Sequence, residues 1–327
     1  MRFSNLTIDA ISFWIGAAAA SAFWLLLGWS RPLLKQIREN WKKGREEAAM
    51  RGASNIEEHH RQSVFKKAQG MHLAAPLFSL EEILIKPHLV APPPQVEPGS
   101  DFVVQDQTNL TIPYLPQDST FSSFYRTETL TIPEALSAGV HLAILGDPGM
   151  GKSVALAYIA SLTAKRDQEM GTLQEAVPFL LHVADLGLGN ADPKDILDPI
   201  SDFLTEDASI FNATRLPKFT HMSFSSGRAL LLLDGLDEIH QEEIEKITSY
   251  LSALLEEYPN IRIITTASIE FLGTLTELGF ASLSLKGWNG LERQEFLDKW
   301  GTLWENYVAL EAWVQAGPEQ VEATLLN

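Results

Sequence analysis

The sequence predicts an α/β protein with a mostly parallel β-sheet flanked by helices. Two apolar runs, residues 141–145 and 229–233, are short and unbroken, as expected for strands that are buried on both faces. The first run leads into a glycine-rich loop and then into a stretch of good helix formers, and the second ends at an aspartate. Strands that alternate with helical segments favour parallel βαβ units. The predicted fold depends on these two strands and on the segment that directly succeeds each of them.

The composition sets the size of the protein and excludes several classes. The chain has 327 residues, which is enough for one full-sized α/β domain and some shorter segments. Its formal net charge of −17 argues against general binding of nucleic acid. Because the chain contains no cysteine, disulfides, thiolate zinc sites and cysteine nucleophiles are excluded.

An uncharged stretch near the N-terminus, AISFWIGAAAASAFWLLLGWS at residues 10–30, is about as long as a helix needs to cross a bilayer. Tryptophans near both of its ends suit the interfacial aromatic belts. Basic residues follow it, namely Arg31, Lys35, Arg38, Lys42, Lys43 and Arg45. The positive-inside rule then predicts a single-pass transmembrane helix, with residues 1–9 outside and the C-terminal part in the cytoplasm. A cleavable signal peptide and a buried core helix are the alternatives.

Shifts in composition predict the remaining boundaries. Residues 31–86 are charged and favour helix, which indicates a helical juxtamembrane stalk. Prolines are concentrated in residues 87–104, where they disfavour helix and predict an extended linker. Residues 105–304 then form the α/β domain, and residues 305–327 begin a C-terminal helical region.

The glycine-rich loop GDPGMGKS matches the G-x-x-x-x-G-K-[ST] pattern of phosphate-binding loops, or P-loops. In this pattern glycines let the backbone approach phosphate, the lysine reaches the β- and γ-phosphates and the hydroxyl ligates Mg²⁺ at a helix N-terminus. The guanine-reading pattern [NT]-K-x-D does not occur in the sequence, which favours ATP or ADP. The residues predicted to contact the nucleotide are Gly146, Asp147, Pro148, Gly149, Met150, Gly151, Lys152, Ser153 and Val154.

A second motif, RALLLLDGLDEIH, supplies the acidic side chains that a magnesium-dependent NTPase needs. Asp234 ends the predicted strand, where open α/β sheets bind ligands, so we predict that it holds Mg²⁺ together with Ser153. Gly235 allows a sharp turn that brings Asp237 and Glu238 back toward the phosphates as candidate catalytic, water-positioning carboxylates. The alternative is that both acids only begin the next helix, where their charge suits the helix dipole.

The pair GDPGMGKS and ALLLLDGLDEI resembles the Walker A and Walker B motifs of NACHT domains, the nucleotide-binding modules of STAND-class P-loop NTPases, to which NOD-like receptors belong. The resemblance covers roughly Ser137 to Trp304. It implies binding of ATP or ADP with Mg²⁺, slow hydrolysis that acts as a timer, and a conformational switch coupled to oligomerisation. The order D-G-x-D-E separates this group from AAA+ ATPases, in which the second acid directly follows the first.

The segment IRIITTAS, predicted as a strand at residues 261–268, departs from the family pattern. Thr265 and Thr266 stand where a polar sensor is expected, but Ser268 occupies the position at which the family carries arginine. This replacement puts γ-phosphate sensing by that route in question.

Together these features predict a membrane-anchored signalling ATPase whose nucleotide state controls conformational change or oligomerisation. Its partners are then the membrane and further copies of itself, without nucleic acid, and the sequence does not reveal the sensed ligand. A nucleotide-binding scaffold without turnover, suggested by Ser268, and a membrane-tethered AAA+ type ATPase are the alternatives. His182 and His221 receive no catalytic role, since isolated histidines in apolar surroundings are usually core or surface groups.

Overall fold

The computed structural model describes most of the chain from residue 55 onward. The described ranges are 55–90, 128–188, 195–206, 210–239 and 241–308. The predicted membrane span at residues 10–30 lies outside them. Within the described ranges no helix is both long and apolar enough to cross a bilayer.

A parallel sheet forms the centre of the fold. The strands of the described residues are β1 (His88–Val90), β2 (Thr129–Thr131), β3 (His141–Leu145), β4 (Val177–His182), β5 (Ala229–Asp234), β6 (Arg262–Ala267) and β7 (Phe280–Ser284). β1 and β2 form a small antiparallel pair, and the other five form a parallel sheet in the order β4-β5-β6-β3-β7. β6 therefore lies between the strand that leads into the glycine-rich loop and the strand that ends at Asp234. The predicted parallel α/β fold is confirmed.

Helices cover both faces of the sheet. In chain order they are α1 (residues 55–69), α2 (Leu80–Ile83), α3 (Ile132–Ser137), α4 (Lys152–Ala164), α5 (Asp198–Glu206), α6 (Ile210–Ala213), α7 (Leu216–Ser225), α8 (Gln241–Glu257), α9 (Leu272–Glu277) and α10 (Gly290–Leu303). A π-helical turn, Trp304–Val308, follows α10.

The two largest apolar clusters of the described residues cover the two faces of the sheet. Successive residues of β5 alternate between them: Leu231 and Leu233 pack in one cluster, and Leu230 and Leu232 in the other. All six residues of β5 are buried. Such burial on both faces explains why its sequence is a continuous apolar run rather than an alternating one.

The predicted elements occur with small differences in their bounds. The amphipathic stretch at residues 241–257 forms α8. The apolar run VPFLLHVADL at residues 177–186, whose pattern predicts a strand as far as Leu186, is a strand only to His182, where a 3-10 turn begins. The turn forms because His182 and Asp185 cap each other's backbone N–H groups across Val183–Leu186.

Helix α1 covers the outer edge of the sheet. β4 is an edge strand, so one row of its backbone groups has no neighbouring strand. Two side chains of α1 donate hydrogen bonds to its carbonyls: His60 Nε2 to the C=O of Pro178 at 2.7 Å, and Lys67 Nζ to the C=O of Leu180 at 3.3 Å. Side-chain donors on the helix therefore satisfy the acceptors of the exposed strand edge.

A buried cluster of charged side chains fixes α1 to the body. Arg61 is only 1% exposed, and its guanidinium donates to the C=O of Thr163 and of Ala176, each at 2.7 Å. Glu57, one turn earlier, accepts hydrogen bonds from Arg61 at 3.0 Å and from both terminal nitrogens of Arg228. Burial raises the pKa of Glu57, but the hydrogen bonds and charges of Arg228 and Arg61 outweigh it and hold that pKa below its usual value.

The placement of α1 differs from the stalk predicted for residues 31–86. Among the described residues, α1 from Ile56 onward belongs to the same compact unit as the sheet. Ile56 packs in the core on one face of the sheet, and Val64 and Ala68 pack on the other. β1 likewise falls within the predicted linker, yet it pairs with β2. The core-facing side of α1 is hard to recognise in the sequence because it contains charged residues. Arg61 is buried there and pairs with the largely buried Glu57.

His60 is buried as a neutral side chain between two aromatic rings. Its ring centroid lies 4.9 Å from that of Phe179 and 5.4 Å from that of Phe219. Burial lowers its pKa to about 4 from the ordinary value of 6.5. Between these two values the unfolded chain binds a proton that the folded protein excludes. The stability that neutral His60 provides is therefore complete above pH 6.5 and is lost as the pH falls toward 4.

We predict that His60→Gln removes this pH dependence, because its amide keeps a donor for the C=O of Pro178 but does not titrate. The free energy of unfolding of the wild type should fall relative to that of the variant by up to about 3 kcal/mol between neutral and acidic pH. Denaturant unfolding of both proteins at pH 7 and pH 4.5 measures the difference. Parallel losses of stability in the two proteins would contradict the buried neutral state of His60.

Candidate functional site

The glycine-rich loop connects β3 to α4 at the carboxyl edge of the sheet. Gly149 and Gly151 have φ angles of +82° and +91°, in the left-handed region that favours glycine. Gly151 directly precedes α4, which begins at Lys152 and runs for 13 residues. The unpaired N–H groups of the first turn of this helix therefore lie behind the loop, an arrangement that binds phosphate.

The side chain of Lys152 connects the two sequence motifs. It is 7% exposed, and its Nζ donates to the C=O of Gly146 at 2.8 Å and to that of Asp147 at 3.2 Å. The same ammonium lies 3.0 Å from Oδ2 of Asp237, in the 3-10 turn Leu236–Glu238 that follows β5. The tertiary fold thus brings the P-loop lysine and an acid of the second motif into one ion pair.

Asp234 and a threonine of β6 form the centre of the acidic motif. Asp234 ends β5, is 7% exposed and accepts a hydrogen bond from the hydroxyl of Thr266. That hydroxyl also accepts the N–H of Gly235 at 3.0 Å. Thr265, the other predicted sensor, instead donates to the C=O of Leu233 at 3.0 Å. Because successive side chains of a strand point to opposite faces, Thr266 and not Thr265 reaches the carboxylate of Asp234.

Ser268 lies just beyond the end of β6. It is partly exposed, and its C=O accepts the N–H of Phe271 at 3.2 Å. This position, which carries arginine in the family pattern, therefore begins the short turn that precedes α9.

His182 lies next to the acidic turn, although the sequence predicted no role for it. It ends β4 and is the register partner of Asp234. Gly235 has a φ of +83°, and a Cβ at this position would lie 2.0 Å from Nε2 of His182. The same Nε2 lies 3.4 Å from Oε2 of Glu238. The available signal in the sequence was its place within the apolar run VPFLLHVADL at residues 177–186, which predicts a strand.

The remaining predicted contact residues lie along the loop and the start of α4. Asp147, Pro148 and Gly149 are exposed, and Met150, Ser153 and Val154 are partly buried.

The donor groups fit a complex of Mg²⁺ with a nucleotide. Proteins usually bind Mg²⁺ through one or two carboxylates together with substrate phosphates. Asp234 offers a carboxylate whose orientation is held by Thr266, and Ser153 offers a hydroxyl in the first turn of α4. In the part of the chain that the structure describes, no group of three or more His, Asp or Glu side chains is arranged to hold a metal ion.

The parallel sheet, the glycine-rich loop in front of α4 and the acids at the end of β5 define a P-loop NTPase. Comparison with protein families narrows this class: residues 141–303 match the family model described as NACHT domain. This match agrees with the resemblance of the two motifs to those of NACHT domains. No curated protein matches the chain.

We predict that Gly235→Ala destabilises the protein more than Gly149→Ala does. Both glycines have nearly the same φ, so both variants strain the backbone by about 1–2 kcal/mol. Only Gly235→Ala adds a clash, since no atom lies within 4 Å of a Cβ built at Gly149. Thermal and denaturant unfolding measure the two losses.

The double variant Gly235→Ala with His182→Ala tests the origin of the difference. Removing the imidazole should reduce the loss at position 235 to the value seen at Gly149. Equal destabilisation by the two single glycine variants would contradict the packing of His182 on this turn.

Proposed function

We propose that the chain is a membrane-anchored signalling ATPase, which binds ATP or ADP with Mg²⁺ and uses its nucleotide state as a switch. The observation that carries the proposal is the ion pair between Lys152 and Asp237 beside the glycine-rich loop. The pair supports the proposal because the cation proposed to bind phosphates lies beside the acids proposed for metal and water. A nucleotide-binding NTPase of signalling type is also what a NACHT domain implies.

Each polar residue of the site has a role in this proposal. The backbone N–H groups at the start of α4 and the ammonium of Lys152 bind the phosphates. Ser153 and Asp234 would hold Mg²⁺, which would supply neutralisation of charge on the phosphates. Asp237 is already paired with Lys152, so Glu238 is the stronger candidate for orienting the attacking water. Its side chain is 69% exposed, which leaves it accessible to water.

The same contacts support a switch. Lys152 contacts the loop carbonyls and Asp237 through its ammonium N–H groups, and a bound phosphate would accept hydrogen bonds from the same N–H groups. Phosphate binding therefore competes with the contact between the loop and the acidic turn, so the occupancy of the site and the position of the turn are coupled. NACHT proteins commonly oligomerise, and we propose that the ATP-bound state of this chain self-associates.

Membrane anchoring is the part of the proposal that rests on the sequence alone. Its support is the uncharged span at residues 10–30 and the basic residues that follow it. The proposed topology has the N-terminus outside and the NTPase domain in the cytoplasm.

A scaffold that binds nucleotide without turnover is the second candidate. Ser268 favours it, because a serine in place of arginine removes a cation from the family's sensor position. Hydrolysis and binding therefore need separate measurements.

We predict that Lys152→Ala abolishes phosphate release and weakens ATP binding, because it removes the cation that meets the β- and γ-phosphates. Glu238→Gln should retain binding and lower the release rate by roughly 100-fold or more, the range for loss of a catalytic acid or base. Phosphate release and binding of a fluorescent ATP analogue to the purified full-length chain measure the two effects.

The exposed Glu277→Gln on α9 serves as the matched charge control and should resemble the wild type. Equal phosphate release by wild type, Lys152→Ala and Glu238→Gln would refute the enzymatic assignment. Binding in all three with release in none would favour the scaffold.

We predict that the chain remains in the membrane fraction after alkaline extraction and keeps its full mass. A retained anchor is released only by detergent, whereas a cleaved signal peptide leaves a protein shorter by roughly 15–30 residues. Intact-mass measurement of the extracted protein distinguishes these cases. Deletion of residues 1–30 provides the control and should release the protein into the soluble fraction.

A further inference from the structure

The imidazole of His182 forms one wall of the acidic turn. Its residue ends β4 opposite Asp234, and its ring packs directly on the backbone of Gly235. Any side chain at position 235 would collide with Nε2, so the ring and the turn are in contact. His182 nevertheless belongs to neither of the two nucleotide-binding motifs.

Backbone hydrogen bonds fix the orientation of this ring. The N–H of Ala184 donates to Nδ1 of His182 at 3.2 Å, and the N–H of His182 donates to the carboxylate of Asp185 at 3.0 Å. Because Nδ1 accepts a hydrogen bond, the proton of the neutral ring is on Nε2. Nε2 is the atom that lies 3.4 Å from Oε2 of Glu238, so the polar edge of the ring is next to this carboxylate.

The two acids of the turn contact different parts of the protein. Asp237 is 16% exposed and pairs with Lys152 of the P-loop, whereas Glu238 faces His182 on β4. β4 is the edge strand, and both β5 and β6 lie between it and β3, the strand that leads into the P-loop. The contact with His182 therefore draws the Glu238 carboxylate toward the outer edge of the sheet and away from β3.

We propose that His182 is a positioning residue that holds Glu238 in a resting orientation, and that hydrolysis requires Glu238 to leave it. The inference rests on the proposed function, in which Glu238 orients the attacking water. While Nε2 holds the carboxylate at the sheet edge, only the fraction of molecules in which the contact is broken is ready for hydrolysis. His182 acts solely through Glu238.

Two substitutions separate the functions of the two ring nitrogens. His182→Asn keeps an acceptor near Nδ1 for the N–H of Ala184 but lacks a donor in the place of Nε2. His182→Gln is longer, and its amide supplies an N–H in that place. His221→Asn is the control for loss of an imidazole, because His221 is exposed on α7.

We expect His182→Asn to raise kcat for ATP hydrolysis by the full-length chain roughly twofold to fivefold, the range for an exposed polar pair, with little change in KM. His182→Gln should remain close to the wild type, and so should His221→Asn. In a Glu238→Gln background His182→Asn should have no effect. Equal rates for the Asn and Gln variants, or a lower rate for His182→Asn, would overturn the proposal.

A spectroscopic measurement tests the contact without turnover. Full-length protein labelled with ¹⁵N-histidine should show His182 as the Nε2–H tautomer, with His182→Asn identifying its signals. Glu238→Gln should shift the Nε2–H resonance, and Glu277→Gln should not. An Nε2–H resonance that does not shift in Glu238→Gln would refute the proposed contact between His182 and Glu238.

The two measurements also separate the failure of this inference from failure of the proposed function. If the wild type and every variant bind ATP but release no phosphate, the proposed turnover fails. The shift of the Nε2–H resonance then still decides whether His182 holds Glu238.

Discussion

The candidate site depends on one constraint of the sheet: β3 and β5 end at the same edge with β6 between them. Parallel strands bring the P-loop and the acidic turn, which are far apart in the sequence, to one place. Two sets of side-chain contacts connect the ends of β3 and β5 across β6. Lys152 reaches across to Asp237, and Thr266 of β6 binds both Asp234 and the backbone of Gly235. A movement of the Lys152 side chain therefore changes its contact with Asp237.

The edge strand β4 borders the acidic turn on the side opposite β6. Its outer carbonyls are satisfied by side chains of α1, and its last residue, His182, packs against Gly235. α1 is held in turn by Arg61, whose guanidinium donates to backbone carbonyls of Thr163 and Ala176. A continuous set of contacts thus runs from the N-terminal helix of the described body through β4 to the proposed site.

Much of the fold and most of the site residues followed from local patterns. Continuous apolar runs marked β3 and β5, and the spacing of glycine, lysine and serine marked the loop before α4. The role of α1 did not follow, because buried Arg61 and Glu57 look like a solvated charged face when their partner Arg228 is distant in the sequence. The two sensor candidates on β6 were also equivalent in the sequence. Only the direction of each side chain showed that Thr266, rather than Thr265, reaches Asp234.

The sequence by itself determined the parallel α/β architecture, the P-loop and the acidic motif, because strand burial and phosphate binding impose residue types at fixed short spacings. Tertiary structure alone decided which acid pairs with Lys152, which faces His182, and how α1 covers β4. These contacts join residues from different strands and helices, so their geometry is set by the strand order and not by any local pattern. The distribution of partners among Asp234, Asp237 and Glu238 is for this reason a property of the fold.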